Sequence, residues 1–439
     1  MKLTDLIKEN IALIGLGSEN YALLKFLATK KINSPITIFS FHSRKSMEIT
    51  HPELKQWSHI TWKISTPTIQ QLKKFTIIIR SPGAFFSPTL RKQLKQQHIR
   101  VISPMQIFLD LCPTKNIIGV TGTKGKGTTS SLIHSILKQG KKKVWLGGNI
   151  GVAPFEFIFK IKKSNWVILE LSSFQLEDMS SSPMIGVITN LSPEHLTPAD
   201  KQNPNYHVSL SSYWQAKLNL LRFQDKNDIA IINTTLKQRP GISSLRSKKI
   251  FFTTSSLPSN LVGEHNKENI AAAVTVAKII KIPERQIVTA IKNFKGLPYR
   301  LEKVTSKHSI TYYNDSFATT PSATITALKS FHQPIILIAG GADKGSDFSK
   351  LAKEIKNRTK YLILFKGTAL SKLQSALKKV AYNSKKMKIA KSMSEAITYA
   401  KTVAAKNDII LMSPACASFG LFKNYKDRGE QFTKLTKKI

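Results

Sequence analysis

The side chains with most chemistry in them begin in a short run. An apolar β-branched stretch, Ile117–Val120, leads into Thr121-Gly122-Thr123-Lys124-Gly125-Lys126-Gly127-Thr128-Thr129. The spacing then predicts a helix over Thr128–Gln139, stopped by Gly140. Strand, glycine-rich turn, lysine and helix in that order build a phosphate cradle. Glycines let backbone N–H groups converge, a helix start adds positive potential, and Lys126 brings a mobile cation to terminal phosphates. The strict Walker A spacing asks for a glycine where Val120 stands, and the plain alternative is a βα turn with a solvated lysine. The order of elements favours the cradle, and with it nucleoside triphosphate chemistry.

Three further side chains suit such a site. Glu170 ends the strand Trp166–Leu171, where an oxygen ligand for Mg²⁺ belongs; by itself it would be a surface charge. His195 follows Pro193-Glu194 beyond the strand Met184–Thr189, although a lone histidine is more often structural or exposed. Lys217 lies in the aromatic and apolar stretch Tyr213–Leu221. It either snorkels to solvent or is held desolvated with a lowered pKa. A neutral amine there can react with CO₂ to give a carbamate that bridges metals as a carboxylate does. The carboxyl ends of parallel strands converge on one crevice, so Lys126, Glu170 and His195 are expected to meet.

The elements that must position them alternate strand and helix throughout. Residues 10–40 read as strand Ile11–Ile14, the turn Gly15-Leu16-Gly17, a helix over Asn20–Thr29 and strand Ile36–Phe39. This is a dinucleotide-type start whose fingerprint fails at Asn20 and Ser40, so it predicts a Rossmann-like domain holding a nucleotide diphosphate rather than NAD. Strands follow at Phe75–Ile79, Val101–Ile102, Val144–Leu146 and Asp228–Asn233, and an alanine-rich helix at Ile270–Ile280. Beyond Gly296-Leu297-Pro298-Tyr299-Arg300 come a strand with Tyr312-Tyr313-Asn314-Asp315-Ser316, then Ile335–Ala339, Tyr361–Phe365 and Ile409–Met412. The pattern predicts an α/β protein of three domains. Residues 1–113 form a Rossmann-like domain, 114–297 a central P-loop ATPase-type parallel sheet, and 298–439 a second Rossmann-like domain.

Composition narrows the class. With 41% hydrophobic and 21% charged residues in 439, the chain reads as globular, and no apolar run approaches a membrane span. The first residues mix charge signs and lack a small-residue cleavage site, which predicts a cytoplasmic protein. Cys112 and Cys416 are the only cysteines, too few for a cysteine-based zinc site or a disulfide framework. There are 67 basic against 26 acidic residues, a net charge of +41. Such an excess suggests nucleic acid or an anionic membrane surface. The lysines are spread along the whole chain, however, so a general lysine bias or an acidic substrate is preferred. A nucleic-acid-binding ATPase is the competing reading, motivated by charge alone.

Six motifs lie in order along nearly the whole chain. They are Gly122-Thr-Lys-Gly-Lys126, Glu170-Leu-Ser-Ser-Phe-Gln-Leu-Glu177, Gly263-Glu-His-Asn-Lys-Glu-Asn269, Gly296-Leu-Pro-Tyr-Arg300, Asn314-Asp-Ser316 and Ser413-Pro-Ala-Cys-Ala-Ser418. Together they resemble the Mur ligases, most closely the branch that adds D-glutamate to UDP-N-acetylmuramoyl-L-alanine. The resemblance implies an ATP- and Mg²⁺-dependent, ADP-forming ligase of peptidoglycan synthesis, monomeric, with no nucleic-acid or membrane partner. Its three domains would bind the UDP precursor, ATP and the incoming amino acid in turn. ATP would phosphorylate the precursor carboxylate, and the amino acid's amine would attack the acyl phosphate.

The resemblance also implies roles by position. Gly122, Thr123, Lys124, Gly125, Lys126, Gly127, Thr128 and Thr129, with Asn269, Arg300 and Asp315, would contact ATP. Glu170, His195 and a Lys217 carbamate would hold magnesium, with Thr128 a doubtful further ligand. Ser18, Glu19, Asn149 and Ser172 would contact the UDP precursor, and Lys344, Ser418, Phe419 and Tyr425 the amino acid. Three positions depart from the pattern, and the segment after Glu194-His195 does not keep the family's usual residues. Gly127 replaces the Ser or Thr after the loop lysine, Phe317 replaces the Lys after Asn-Asp-Ser, and Tyr299 replaces the His before Arg300. The first predicts a greater need for magnesium, and the second a weaker hold on D-glutamate; together they raise a second alternative, a weakened homologue that binds the nucleotide precursor or ATP without efficient ligation.

Overall fold

Isoleucine-rich runs set the architecture. A strand buried on both faces reads as a continuous apolar run, not an alternating one, and Ile11–Ile14, Ile77–Arg80, Ile117–Thr121 and Ile335–Ala339 are buried at every position. The computed structural model describes residues 3–7, 9–32, 34–57, 60–198 and 204–438. By internal packing the chain divides into two compact units: Met1–Leu257 with Glu268–Ile291, and Pro258–Lys267 with Lys292–Ile439.

The first unit holds two sheets. One is built from β1 (Ile11–Ile14), β2 (Ile36–Ser40), β3 (Ile60–Ile64), β4 (Ile77–Arg80) and β5 (Arg100–Ile102), all parallel, in the order β3-β2-β1-β4-β5. The other contains β6 (Ile117–Thr121), β7 (Val144–Gly148), β8 (Trp166–Glu170), β9 (Ile185–Ile188), β10 (Ile229–Asn233) and β11 (Lys248–Phe252). It too is parallel, in the order β11-β10-β9-β6-β8-β7. β6 is therefore central, flanked by β8, which ends in Glu170, and β9, which leads to His195.

A single apolar core joins the two sheets. Phe26 packs on Phe155 with ring centroids 5.0 Å apart, and Phe108 on Phe155 and Phe157 at 5.7 and 6.2 Å. A charged tie accompanies it. Arg80, fully buried at the end of β4, donates from Nε to Asp178 Oδ2 (2.5 Å) and from a terminal nitrogen to Glu177 Oε2 (2.8 Å). Arg91 reaches the same two carboxylates at 2.5 and 2.8 Å. Burial works to raise the Asp178 carboxyl, but the two guanidinium groups override it and hold its pKa low.

The second unit contains β12 (Glu302–Lys307), β13 (Ile310–Asn314), β14 (Ile335–Ala339), β15 (Thr359–Phe365), β16 (Met387–Ala390) and β17 (Ile409–Met412). The order is β12-β13-β17-β14-β15-β16, parallel except for the β12–β13 hairpin. Apolar clusters cover the sheet, one including Leu337, Leu362 and Leu411, the other Ile338, Ile363 and Phe432.

Among the described residues this makes seventeen strands in three α/β sheets. β3, β11, β12 and β16 were not expected from the pattern. The helix after the glycine-rich turn starts at Lys126 rather than Thr128, so Lys126 and Gly127 lie in its first turn.

Candidate active site

β6 runs directly into the phosphate-type loop. The helix Lys126–Gln139 has Gly125 as its N-cap in the left-handed region (φ 82°), with no side-chain cap. Its first N–H groups are thus left without a side-chain acceptor, which suits an anion. A Cβ at Gly125 would collide with Asn269 Oδ1, the atom that accepts from Thr129 Oγ1 at 3.2 Å. A Cβ at Gly122 (φ 150°) would collide with Thr189 Oγ1. The loop is stapled to the end of β9. Lys124 N donates to Asn190 Oδ1 (2.9 Å), Asn190 Nδ2 and Thr189 Oγ1 donate to Lys124 O (2.9 and 2.7 Å), and Thr123 N donates to Asn190 O (3.0 Å). Thr128 sits half-buried in the helix's first turn.

Two lysines share one acceptor. Lys126 Nζ donates to Gly122 O (3.0 Å) and Thr123 O (2.9 Å), and Lys217 Nζ donates to the same Gly122 O at 2.8 Å. Lys217 is 1% exposed, with Nζ 4.4 Å from the centroid of the Tyr213 ring, so it does not snorkel. Burial first, and then Lys126, lower its pKa well below the ordinary value, although Glu194 and Glu170 pull the other way. A neutral amine can still donate one hydrogen bond to Gly122 O.

Glu170 is buried at the end of β8, and its Oε1 accepts from Asn149 Nδ2 at 2.8 Å, which links a proposed metal ligand to a proposed substrate residue. His195 adopts φ 59°, and its ring packs edge-on to Phe174 and Tyr213 at 5.1 and 6.1 Å. The residue as a whole is exposed, but contact with those rings desolvates the imidazole, the leading cause of its lowered pKa; Glu194 opposes the shift. Among the described residues no three His, Cys, Asp or Glu side chains gather as a ready metal centre. The donor chemistry still fits magnesium if Lys217 is carboxylated. Glu170 then gives one carboxylate, the carbamate a second, and His195 a neutral imidazole.

At the helix Ser18–Thr29, Ser18 is exposed, and Glu19 Oε1 accepts from Gln175 Nε2 while Oε2 is buried without a partner. Burial pushes the Glu19 carboxyl up to about 7 against that hydrogen bond. The Ser172 hydroxyl is taken up locally: it caps the helix Ser173–Leu176 by accepting from Gln175 N at 3.2 Å. Asn20, at the failed glycine position, is buried and donates from Nδ2 to Gly15 O at 2.6 Å, closing the turn.

In the second unit, Asp315 Oδ1 accepts from Leu301 N (3.1 Å) and Oδ2 from Ser413 Oγ (2.7 Å), while burial raises its pKa to about 7. Arg428, fully buried on the helix Tyr425–Lys437, donates to Ser316 Oγ (3.0 Å), Ser316 O (2.9 Å) and Cys416 O (3.1 Å). It thereby holds Asn314-Asp-Ser316 and Ser413–Ser418 together. Ser316 Oγ in turn donates to Tyr425 O at 2.7 Å. Lys344 Nζ lies 5.4 Å from the ring centroid of Phe419, which is 57% exposed, and Ser418 is buried nearby in sequence.

Residues 120–255 match the Mur ligase middle domain, and residues 299–416 the Mur ligase, glutamate ligase domain. A UDP-N-acetylmuramoylalanine–D-glutamate ligase of Clostridium tetani is 34% identical, over 98% of this chain and 97% of that one. The enzyme of the same name from Clostridium botulinum (strain Langeland) is 33% identical over 100% and 99%. The chain belongs to the Mur ligases.

Two solved Mur ligases of Thermotoga maritima share the fold at low identity. The MurF ligase in complex with ADP superposes with a TM-score of 0.60 at 16% identity, covering 100% of this chain and 99% of that one. The UDP-N-acetylmuramate–alanine ligase gives 0.57 at 15%, covering 98% and 99%. Within the Mur ligase frame, the departure at Gly127 falls at a buried backbone whose carbonyl accepts from Ser130 Oγ at 3.1 Å. Several residues of this Mur ligase were not singled out from sequence. His207 is buried, stacked on Phe174 at 4.8 Å, hydrogen-bonded to Ser173 Oγ at 2.9 Å, and donates its backbone N–H to His195 O at 2.8 Å. Asn190 and Thr189 hold the loop. Gln175 was visible inside a quoted motif, and Asn190 follows a strand end, but nothing in the pattern marks His207 or Arg428.

Proposed function

We propose that this chain joins D-glutamate to UDP-N-acetylmuramoyl-L-alanine, with ATP cleaved to ADP and phosphate. One observation carries the reading. An uncapped helix start with Lys126, a buried Glu170 and a buried lysine of depressed pKa all surround the carboxyl end of β6. The names of the 33–34% identical relatives supply the substrate pair.

In this reading residues 1–113 take the UDP precursor through Ser18, Glu19, Asn149 and Ser172, the last two contributed by residues 114–297. The segment 114–297 takes ATP through residues 122–129 and Asn269, and 298–439 takes the amino acid through Lys344, Ser418, Phe419 and Tyr425. Arg300 and Asp315 also serve ATP. Lys126 neutralises the terminal phosphates as the γ-phosphoryl group passes to the precursor carboxylate. The amine of the amino acid then adds to the acyl phosphate, and loss of phosphate and a proton leaves the amide. Magnesium, held by Glu170, His195 and carboxylated Lys217, supplies neutralisation of phosphate charge when bound. The protein works in the cytoplasm as a monomer.

The test is ADP release with UDP-N-acetylmuramoyl-L-alanine across a panel of D- and L-amino acids. D-Glutamate alone should support turnover. Preference for a cationic amino acid such as lysine, or ADP release driven by nucleic acid instead, would overturn the reading.

A further inference from the structure

Two of the three departures from the family pattern touch in the second unit. Arg300 Cζ lies over the face of Phe317, 3.7 Å from the ring centroid, which is van der Waals contact. Phe317 meets the ring of Tyr425 edge-on at 5.0 Å, and Tyr425 meets Tyr299 edge-on at 6.2 Å. Phe317 N also donates to Tyr299 O at 3.0 Å.

The backbone carrying Arg300 is pinned as well. Its neighbours Tyr299 and Leu301 both have positive φ, 63° and 44°, which costs energy for bulky side chains and persists only when surroundings enforce it. Here Tyr299 N donates to Glu302 Oε2 (2.9 Å) and Leu301 N to Asp315 Oδ1 (3.1 Å). The long arginine side chain extends from this pinned backbone with its head over the Phe317 ring.

We propose that Phe317 is a positioning residue, whose ring face holds the Arg300 guanidinium in place for the nucleotide while Tyr425 and Tyr299 brace the ring. This rests on the ligase reading, in which Arg300 serves ATP. A ring face attracts a planar guanidinium, whereas a lysine at 317 would set a second cation beside it. The exchange of Lys for Phe after Asn-Asp-Ser and of His for Tyr before Arg300 is therefore one linked change. Position 317 in this chain governs how ATP is held, not how the amino acid is held.

The test uses the full chain, with ADP release measured against ATP at saturating precursor and D-glutamate. Phe317→Leu should raise the ATP KM by about two- to fivefold, the range of an exposed cation–π contact, with little change in kcat. Phe317→Tyr, which keeps the ring, should reverse that rise. Phe317→Lys should raise the ATP KM at least as far without lowering the D-glutamate KM. If Phe317→Lys instead lowers the D-glutamate KM and leaves that of ATP alone, or if Phe317→Leu and Phe317→Tyr behave alike, the proposal is wrong. A readout independent of turnover is the ring-current shift of Arg300 Hε, assigned through Arg300→Lys. It should vanish in Phe317→Leu and persist in Phe317→Tyr, and no change in Phe317→Leu would refute the positioning. Failure of the parent protein to release ADP would refute the ligase reading alone.

Discussion

Lys126 and Lys217 both donate to the carbonyl of Gly122, so a second full charge at Lys217 would stand beside the first in a site with little water. Lys217→Ala should abolish ADP release, and a small added carboxylic acid should partly restore it by replacing the carbamate; full activity without additive would exclude that role. Lys126→Ala should fall below about a tenth of parental activity, since Lys217, the other amine on Gly122 O, is fully buried and does not reach out to the phosphates. His207 gives a prediction about acid stability. Burial, the largest cause, with the guanidinium groups of Arg80 and Arg91 adding to it, lowers its pKa to about 3. The unfolded chain takes up this proton near pH 6.5, but the folded chain does not until about pH 3. Stability is therefore lost as pH falls through that window, by about 2 kcal/mol from this one group at pH 5. His207→Gln should lose less melting temperature between pH 7 and pH 5 than the parent does, as followed by circular dichroism. Neither His207 nor Arg428 was legible in the sequence, because a lone polar residue carries no periodicity and its partners come from distant segments. Lys217 was legible as a question, and its burial answers it.

At the scale of elements, what could be read and what could not divide along the sheet edges. β1, β4, β6 and β14 are buried at every position, and their isoleucine runs mark them in the sequence, although β4 spans Ile77–Arg80 rather than the expected Phe75–Ile79. β3, β11, β12 and β16 lie at sheet edges, with sequences such as Lys248-Lys-Ile-Phe-Phe252 and Met387-Lys-Ile-Ala390. Edge strands carry lysines that discourage pairing with other chains, and the same lysines erase the strand signal. The start of the Lys126–Gln139 helix was misplaced by two residues because Gly127 reads as a turn, although here it lies in a helix. That position also yields a test. Serine at 127 would add a hydroxyl in the first helical turn, so Gly127→Ser should lower the half-saturating magnesium concentration at saturating ATP with an equal or higher maximal rate. An unchanged titration would mean that other ligands already complete the metal's shell.

Over the whole molecule, the +41 charge is spread along the chain, and the 26 acidic residues are few enough that a buried one stands out. Asp178 is such a residue: it is buried between Arg80 and Arg91. Removing one partner of a buried pair leaves the other uncompensated, at a cost of about 3–5 kcal/mol. Asp178→Ala should lower the melting temperature of the protein sharply, and Asp178→Asn less so. Arg80 itself belongs to the first sheet, and its carboxylates follow β8 of the second, while Phe155, which shares its core with Phe26 and Phe108, lies between β7 and β8. A break at residue 113, natural as it looks from the sequence, would strip the Arg80 guanidinium of both its carboxylates and open an apolar face to water. The piece 1–113 is therefore expected not to fold on its own. Expressed alone it should fail to show a cooperative melt, and in the intact protein its β-sheet should lose amide protection together with β6 and β8, not ahead of them.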